Sequence, residues 1–261
     1  MTDLEALARG AEPILARAGE TLMAMRRAGI DATRKEGLDV VTAADLASER
    51  VVIEGLRALA PSASILSEEA GAIDGSGDAR WIIDPLDGTV NFAAGLPWFS
   101  VTIAYQERGE TLLGMTRAPA MPLAATWTKG GRAEVDGAPA RVSPVARLAD
   151  AVVSIVITSH FDSATISRAV AIVDRLSRRT RGVRIVVSGA LEMSLVAAGR
   201  MDAFVHVKAD VVSHAAAMPL VRAAGGRVTT LSGADAVVDD LERVASNGLV
   251  HDELLDAIAG S

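Results

Sequence analysis

Cysteine is absent from the 261-residue chain. That excludes a disulfide scaffold, a thiolate zinc site and a cysteine nucleophile, and it fits a reducing compartment. A chain of this length buries a large core without covalent staples, and at ~150 residues per domain it holds one to two domains. A basic excess is lacking too: 26 Lys and Arg face 33 Asp and Glu, for a net charge of −7. Non-specific binding to a nucleic-acid polymer needs the opposite balance. The one basic cluster, Arg175, Arg178, Arg179, Arg181 and Arg184, reads as a solvated helix end, with a small anion-binding patch as the alternative. No apolar run approaches the ~20 residues of a membrane span. The acidic, amphipathic start MTDLEALARG lacks the basic-then-apolar order of a secretory signal. These absences predict a globular, cytoplasmic protein with no membrane partner.

What is present divides near the Pro-containing stretch Val142 to Arg147. Apolar residues from Leu4 to Met25 recur at helical spacing behind a cap at Asp3. Residues 29–39 are polar and read as a loop or short hairpin. A second helix starts at Thr42 and stops before Pro61. The candidate strands Trp81–Ile83, Phe99–Tyr105, Leu112–Arg117 and Ala124–Thr128 are separated by turn signals and predict an antiparallel sheet. From Ala149 onward strands and helices alternate: strands at Val152–Ile157, Val183–Val187, Ala203–Val207 and Arg227–Thr230, with helices at Ser163–Leu176, Ala190–Ala198 and Ala215–Ala224. Such alternation predicts a layered α/β half. Residues 1–147 therefore form an α+β half and residues 148–261 an α/β half.

The carboxylates of residues 67–92 carry the chemistry. Glu68 and Glu69 follow the apolar segment Ser64–Leu66, and Asp84 and Asp87 sit where the Trp81–Ile83 strand ends. Pro85 turns the chain, so both aspartates can point to one side with the Leu86 carbonyl between them. Clustered carboxylates repel unless something positive joins them, and an all-oxygen set suits a hard cation such as Mg²⁺ or Mn²⁺. Gly88 and Thr89 then open a short helix whose free amides suit a phosphate. The residues read as a metal-dependent phosphate ester hydrolase. By spacing alone they serve equally as an Asx-type turn with Glu68 and Glu69 as surface charges.

The run Trp81-Ile-Ile-Asp-Pro-Leu-Asp-Gly-Thr-Val-Asn-Phe92 resembles the signature of the inositol monophosphatase family, lithium-sensitive, magnesium-dependent phosphatases related to fructose bisphosphatase. Asp39 to Asp45, Ser67 to Gly71, Ser188 to Leu191, Val196 to Arg200 and Leu220 to Gly226 resemble further family elements in order. The resemblance implies a layered α-β-α-β-α sandwich, a homodimer, and hydrolysis of a small inositol, sugar or related polyol phosphate. By that resemblance Glu68, Asp84 and the Leu86 carbonyl hold a first Mg²⁺, and Asp84 and Asp87 share a second. Mn²⁺ can substitute, and the family pattern allows two or three ions. Thr89, oriented by Asp45, works with Glu68 on the attacking water. The amides of Gly88 and Thr89 hold the phosphate. Ser188, Gly189, His206 and Ser213 fall at substrate-binding positions, residues 148–261 carry specificity, and Lys35 falls near a mobile-loop lysine of the family. Trp98 and Phe99 are expected beneath the site loop.

One position departs from the family. Where the pattern Trp-Asp-x-Ala-Ala closes the second metal site with an aspartate, the gapless register places Ser213. Losing a carboxylate there weakens the second cation, because one charge pair at ~4 Å is worth on the order of 4 kcal/mol at an effective dielectric of ~20. Three outcomes stay open: a slow or substrate-assisted phosphatase, a corner rebuilt with Asp210 or His214, and a relative that binds a phosphorylated ligand or a partner without hydrolysis. A 3′-phosphonucleotide or a specialised-metabolite phosphate is the alternative substrate. No Gly-x-Ser-x-Gly elbow with a matching His/Asp pair is present, which argues against a serine hydrolase.

Overall fold

Helix α1 (Leu4–Ala28) buries Leu7, Ala11, Ile14, Leu15, Ala18 and Leu22, the stripe that its sequence spacing predicts. Asp3 caps it, accepting the Ala6 amide at 2.9 Å. The computed structural model describes residues 2–28 and 43–260, and the backbone of 32–34 and 40–42. Lys35 and Asp39 lie outside the described residues. Strands β1 (Ala32–Arg34) and β2 (Val40–Thr42) pair antiparallel as the expected hairpin. Helix α2 (Ala43–Leu59) follows directly.

Next come β3 (Ser64–Ser67), β4 (Gly71–Ile73), β5 (Ala79–Asp87), the short helix α3 (Thr89–Ala93), β6 (Ser100–Glu107), β7 (Glu110–Ala118), β8 (Leu123–Thr128), β9 (Ala133–Val135) and β10 (Ala138–Pro139). They form an eight-stranded sheet of order β10-β9-β8-β7-β6-β5-β3-β4. Strands β5 to β8 are antiparallel as expected, whereas β3 runs parallel to β5. The second sheet holds β11 (Val152–Ile155), β12 (Gly182–Arg184), β13 (Ala203–His206), β14 (Arg227–Thr229) and β15 (Arg243–Ser246), in order β12-β11-β13-β15-β14. Strand β11 is parallel to both its neighbours, and β15 is antiparallel to β13 and β14. The helices of this half are α4 (Ser163–Arg179), α5 (Gly189–Ala197), α6 (Ala217–Ala223) and α7 (His251–Ala259).

Three expectations need correction. Strand β12 ends at Arg184 rather than Val187, because Val187 adopts φ +61°, which no strand allows. Helix α6 starts at Ala217, residues 212–216 being turn. Strand β15 and helix α7 have no counterpart in the expected alternation.

The layers stack as α-β-α-β-α. Helices α1 and α2 cover one face of the large sheet, α5 and α6 lie between the two sheets, and α4 and α7 pack beyond the second. One apolar core fills the α1/α2 side, with Trp81, Phe92 and Phe99 fully buried. The other unites α4 to α7 with the second sheet and reaches across residue 147 to Leu123, Ala125 and Val135. The basic cluster is a helix end: Arg178 pairs with Asp174 and Arg181 with Asp150, while Arg175 donates to the last carbonyls of α7. Among the described residues no helix is long and apolar enough to cross a membrane.

Candidate active site

In α/β sheets, ligands collect beyond the carboxyl ends of parallel strands. The parallel strands of both sheets end at one cleft of about 310 Å³. Strand β3 delivers Glu68 and β5 delivers Asp84, Leu86 and Asp87. Strand β11 leads to Val156, Thr158, His160 and Phe161, and β13 ends at His206 and leads to Lys208 and Asp210. Gly88, Thr89, Gly189, Ser213 and His214 complete the wall.

The ladder between β5 and β6 breaks between Asp84 and Asp87, where Pro85 has no amide proton to donate. Gly88 then takes φ +90°, and a Cβ there would come within 2.7 Å of the Trp98 carbonyl oxygen. This left-handed residue starts α3 and points Thr89 back at the turn. The Thr89 hydroxyl lies 3.0 Å from Asp45 Oδ1 and 3.0 Å from the Leu86 carbonyl; with one proton it donates to one acceptor at a time. Asp45 is buried behind it in the first turn of α2.

Asp84 is buried, and its carboxyl is held well above the usual range, first by burial and then by the negative charges of Glu68, Asp87 and Asp210. Its oxygens accept from the Leu86 amide at 3.1 Å and the Ser213 hydroxyl at 2.9 Å. Asp87 points elsewhere. Its Oδ1 accepts the Gly189 amide at 3.1 Å, and its Oδ2 accepts the Ser188 hydroxyl at 2.6 Å, the Ala190 amide at 3.0 Å and the Ser100 hydroxyl at 3.2 Å. It thus plugs the amino terminus of α5, a favourable place for a negative charge. Burial nonetheless raises it to about 6.

Ser188, expected at the substrate, is wholly buried and spends its hydroxyl on Asp87. Gly189 does line the cleft, but its amide also serves Asp87. A Cβ on Gly189 would meet His214 Nε2 at 2.4 Å, so glycine lets that ring sit over α5. His214 Nε2 faces His206 Nδ1 at 3.4 Å, with the rings edge to face. Burial drives both imidazoles down to about 3, which keeps them neutral. His206 is therefore no surface histidine. Phe99 packs beneath the site loop against Phe92 at 5.0 Å, as expected, but Trp98 is 38% exposed.

The sequence pattern of the inositol monophosphatase family matches the chain over residues 3–260. The chain belongs to the inositol monophosphatase family. The fructose-1,6-bisphosphatase/inositol-1-monophosphatase of Thermotoga maritima is 38% identical over 219 residues, 84% of this chain and 82% of that protein. The Nus factor SuhB of Escherichia coli K12 is 34% identical over 227 residues, 84% of this chain and 85% of that one. The crystal structure of the extragenic suppressor protein suhB from Bartonella henselae superposes with a TM-score of 0.91 at 28% identity, covering 97% of this chain and 98% of that one. Membership makes this protein a phosphoric monoester hydrolase with the family's layered fold.

The family depends on metal, and the donor chemistry here fits a hard cation. Glu68, Asp84, Asp210 and the Leu86 carbonyl offer only oxygen to one cleft, and the charges acting most strongly on Asp84 are all negative. Among the described residues no three Asp, Glu, His or Cys side chains stand close enough to form a ready-made ion cluster. Asp87 also lines the cleft, with its oxygens shared among Ser188, Ser100 and the first amides of α5.

His160, Phe161, Thr158 and Lys208 were not singled out from the sequence. They sit on loops beyond β11 and β13, and the signal that points to them is positional: they follow parallel strands on the side where Glu68 and Asp84 emerge. Glu192 in α5 was also missed. It is fully buried, accepts the Ser188 amide at 3.0 Å, and burial raises it to about 8.

Proposed function

We propose that this protein is a Mg²⁺-dependent phosphatase of a small inositol or sugar phosphate. The observation that carries this reading is Thr89, held between buried Asp45 and the Leu86 carbonyl at the rim of a carboxylate-lined cleft. When Thr89 donates to Asp45, its oxygen is left as an acceptor facing the cleft, able to orient a water beside Glu68. Glu68 then takes that water's proton as general base. The left-handed turn at Gly88, followed by helical residues, forms a nest of amides for the phosphate. A divalent cation held by Glu68, Asp84 and the Leu86 carbonyl would, when bound, offset the carboxylate charge and acidify water.

The leaving group would meet the wall from residues 148–261, where neutral His206 can exchange hydrogen bonds with hydroxyls and Lys208 adds positive charge at the mouth. The two names carried by the Thermotoga relative support inositol and sugar phosphates as first substrates. Exposed Val90, Leu96 and Trp98, in and just after α3, support a homodimer. Light scattering after gel filtration measures that state.

The test is phosphate release from inositol 1-phosphate, fructose 1,6-bisphosphate and a 3′-phosphonucleotide, with Mg²⁺ and with chelator. Activity should require the ion, and Asp84→Asn should lower kcat/KM by about 10³-fold, the several kcal/mol of a lost charge-stabilising group. Undiminished activity in that variant would sink the reading. A second reading, ligand or partner binding without hydrolysis, is favoured by the engagement of Asp87 in α5 and by the relative named a Nus factor. Saturable phosphate binding with no release on any substrate would select it.

A further inference from the structure

We infer that Asp210 supplies the carboxylate missing at Ser213, so that Asp84 and Asp210 together hold the second divalent cation. This rests on the reading of the cleft as a cation-dependent phosphatase site.

Asp210 lies in the segment that leaves β13 at its carboxyl end, one turn before Ser213. Its Oδ1 accepts the Ser213 amide at 2.7 Å, which fixes the carboxylate over the turn. Its Oδ2 lies 3.1 Å from the Ser213 hydroxyl, and the same hydroxyl lies 2.9 Å from Asp84 Oδ2. A hydroxyl carries one proton and satisfies one carboxylate oxygen at a time. The other oxygen faces a lone pair, and two carboxylates are left on either side of a neutral group. That arrangement suits a cation, which takes oxygens from both.

His214 is the other candidate at this corner. His214 Nε2 faces His206 Nδ1 at 3.4 Å and packs on Gly189, which occupies that nitrogen. Among the basic groups, Lys208 Nζ lies 3.8 Å from Asp162, and the buried Arg243 guanidinium donates to the carbonyls of Val237, Val238 and Asp240. Moving a carboxylate from position 213 to 210 thus keeps the acidic count of the cleft while leaving a hydroxyl in the old place.

Mn²⁺ binding to the full-length protein, counted by electron paramagnetic resonance and by calorimetry with inorganic phosphate present, tests the assignment without a turnover measurement. The unaltered protein should bind two ions. Asp210→Asn, whose amide oxygen still accepts the Ser213 amide, should weaken the second at least tenfold and leave the first within about threefold. Ser213→Ala should change neither by more than about threefold, and the double variant Asp210→Asn with Ser213→Asp should restore the second ion. Far-UV circular dichroism and the thermal midpoint in chelator check that each variant folds, and Asp210→Ser, another good cap, repeats the measurement with the charge removed. Two full-affinity ions in both Asp210 variants, or a single ion in the unaltered protein, would overturn the inference while leaving a phosphatase. Asp84→Asn should lose both ions; if it keeps both, the cation reading of the cleft fails as well.

Discussion

Gly88 carries a constraint that no side chain tolerates. Its φ of +90° and the 2.7 Å approach of a hypothetical Cβ to the Trp98 carbonyl act together. A left-handed L-residue costs about 1–2 kcal/mol, before any clash with backbone. Gly88→Ala should therefore lose at least ~2 kcal/mol, a fall of roughly 4–8 °C in thermal midpoint for a chain of this size, and Thr89 should lose its alignment with Asp45. Calorimetry and kcat/KM measured together check this; an unshifted midpoint would refute it. Gly88, Asp84 and Thr89 were legible because the turn chemistry and the family signature coincide in one run of residues. Ser188 and His214 were not. A serine before a helix looks available in sequence, and only the arrival of Asp87 from another sheet shows where its hydroxyl goes.

Helix α5 shows how a site residue becomes structural. Its amino terminus is closed by Asp87 rather than by its own cap, Ser188, and Glu192 reaches back to the Ser188 amide. The preceding turn holds Val187 at φ +61°, and Asn91 Nδ2 donates to the carbonyls of Val186 at 2.7 Å and Trp98 at 2.8 Å. A strained β-branched residue persists only where neighbours over-determine it. Asp87→Asn replaces a charge-assisted acceptor by a neutral one, with an expected cost of about 2 kcal/mol. The loss should be the same in chelator as in Mg²⁺, which urea denaturation under both conditions measures. A loss seen only with Mg²⁺ would mean that Asp87 serves the ion and not the helix. Periodicity located α5 to within a residue, but the partner of its amino terminus lies about 100 positions away in sequence, beyond any local pattern.

The buried ionisable groups set the pH range of the whole protein. His206, His214 and His251 are buried, and burial lowers them to about 3, 3 and 4; His251 also bonds Thr229 at 2.9 Å and Ser246 at 2.8 Å. A histidine whose folded value is depressed stabilises fully above its unfolded value of ~6.5 and loses that contribution as pH falls toward the folded one. Glu192, raised to about 8, has the opposite sign: its contribution is complete below the unfolded value and disappears as pH rises to 8. On the acid side of pH 6.5 each histidine should cost stability by up to ~1.4 kcal/mol per pH unit, against the opposite contributions of Glu192, Asp87 and Asp84, whose folded values are raised. His251→Gln, far from the cleft, should remove its share of that cost in urea denaturation curves measured between pH 4 and pH 7. Curves that stay parallel to the unaltered protein would contradict it.

The amino-acid order alone determined which segments bury a stripe or a face, where turns must fall, and that acidic residues bracket the turn at Gly88, because these depend on neighbours within a few residues. It also carried the departure at Ser213. Tertiary structure decided the rest: that the parallel ends of two sheets open on one cleft, that Asp87 faces a helix, and that Asp210 stands beside Asp84. Those outcomes depend on distances between residues far apart in the chain, which are set only when the layers pack.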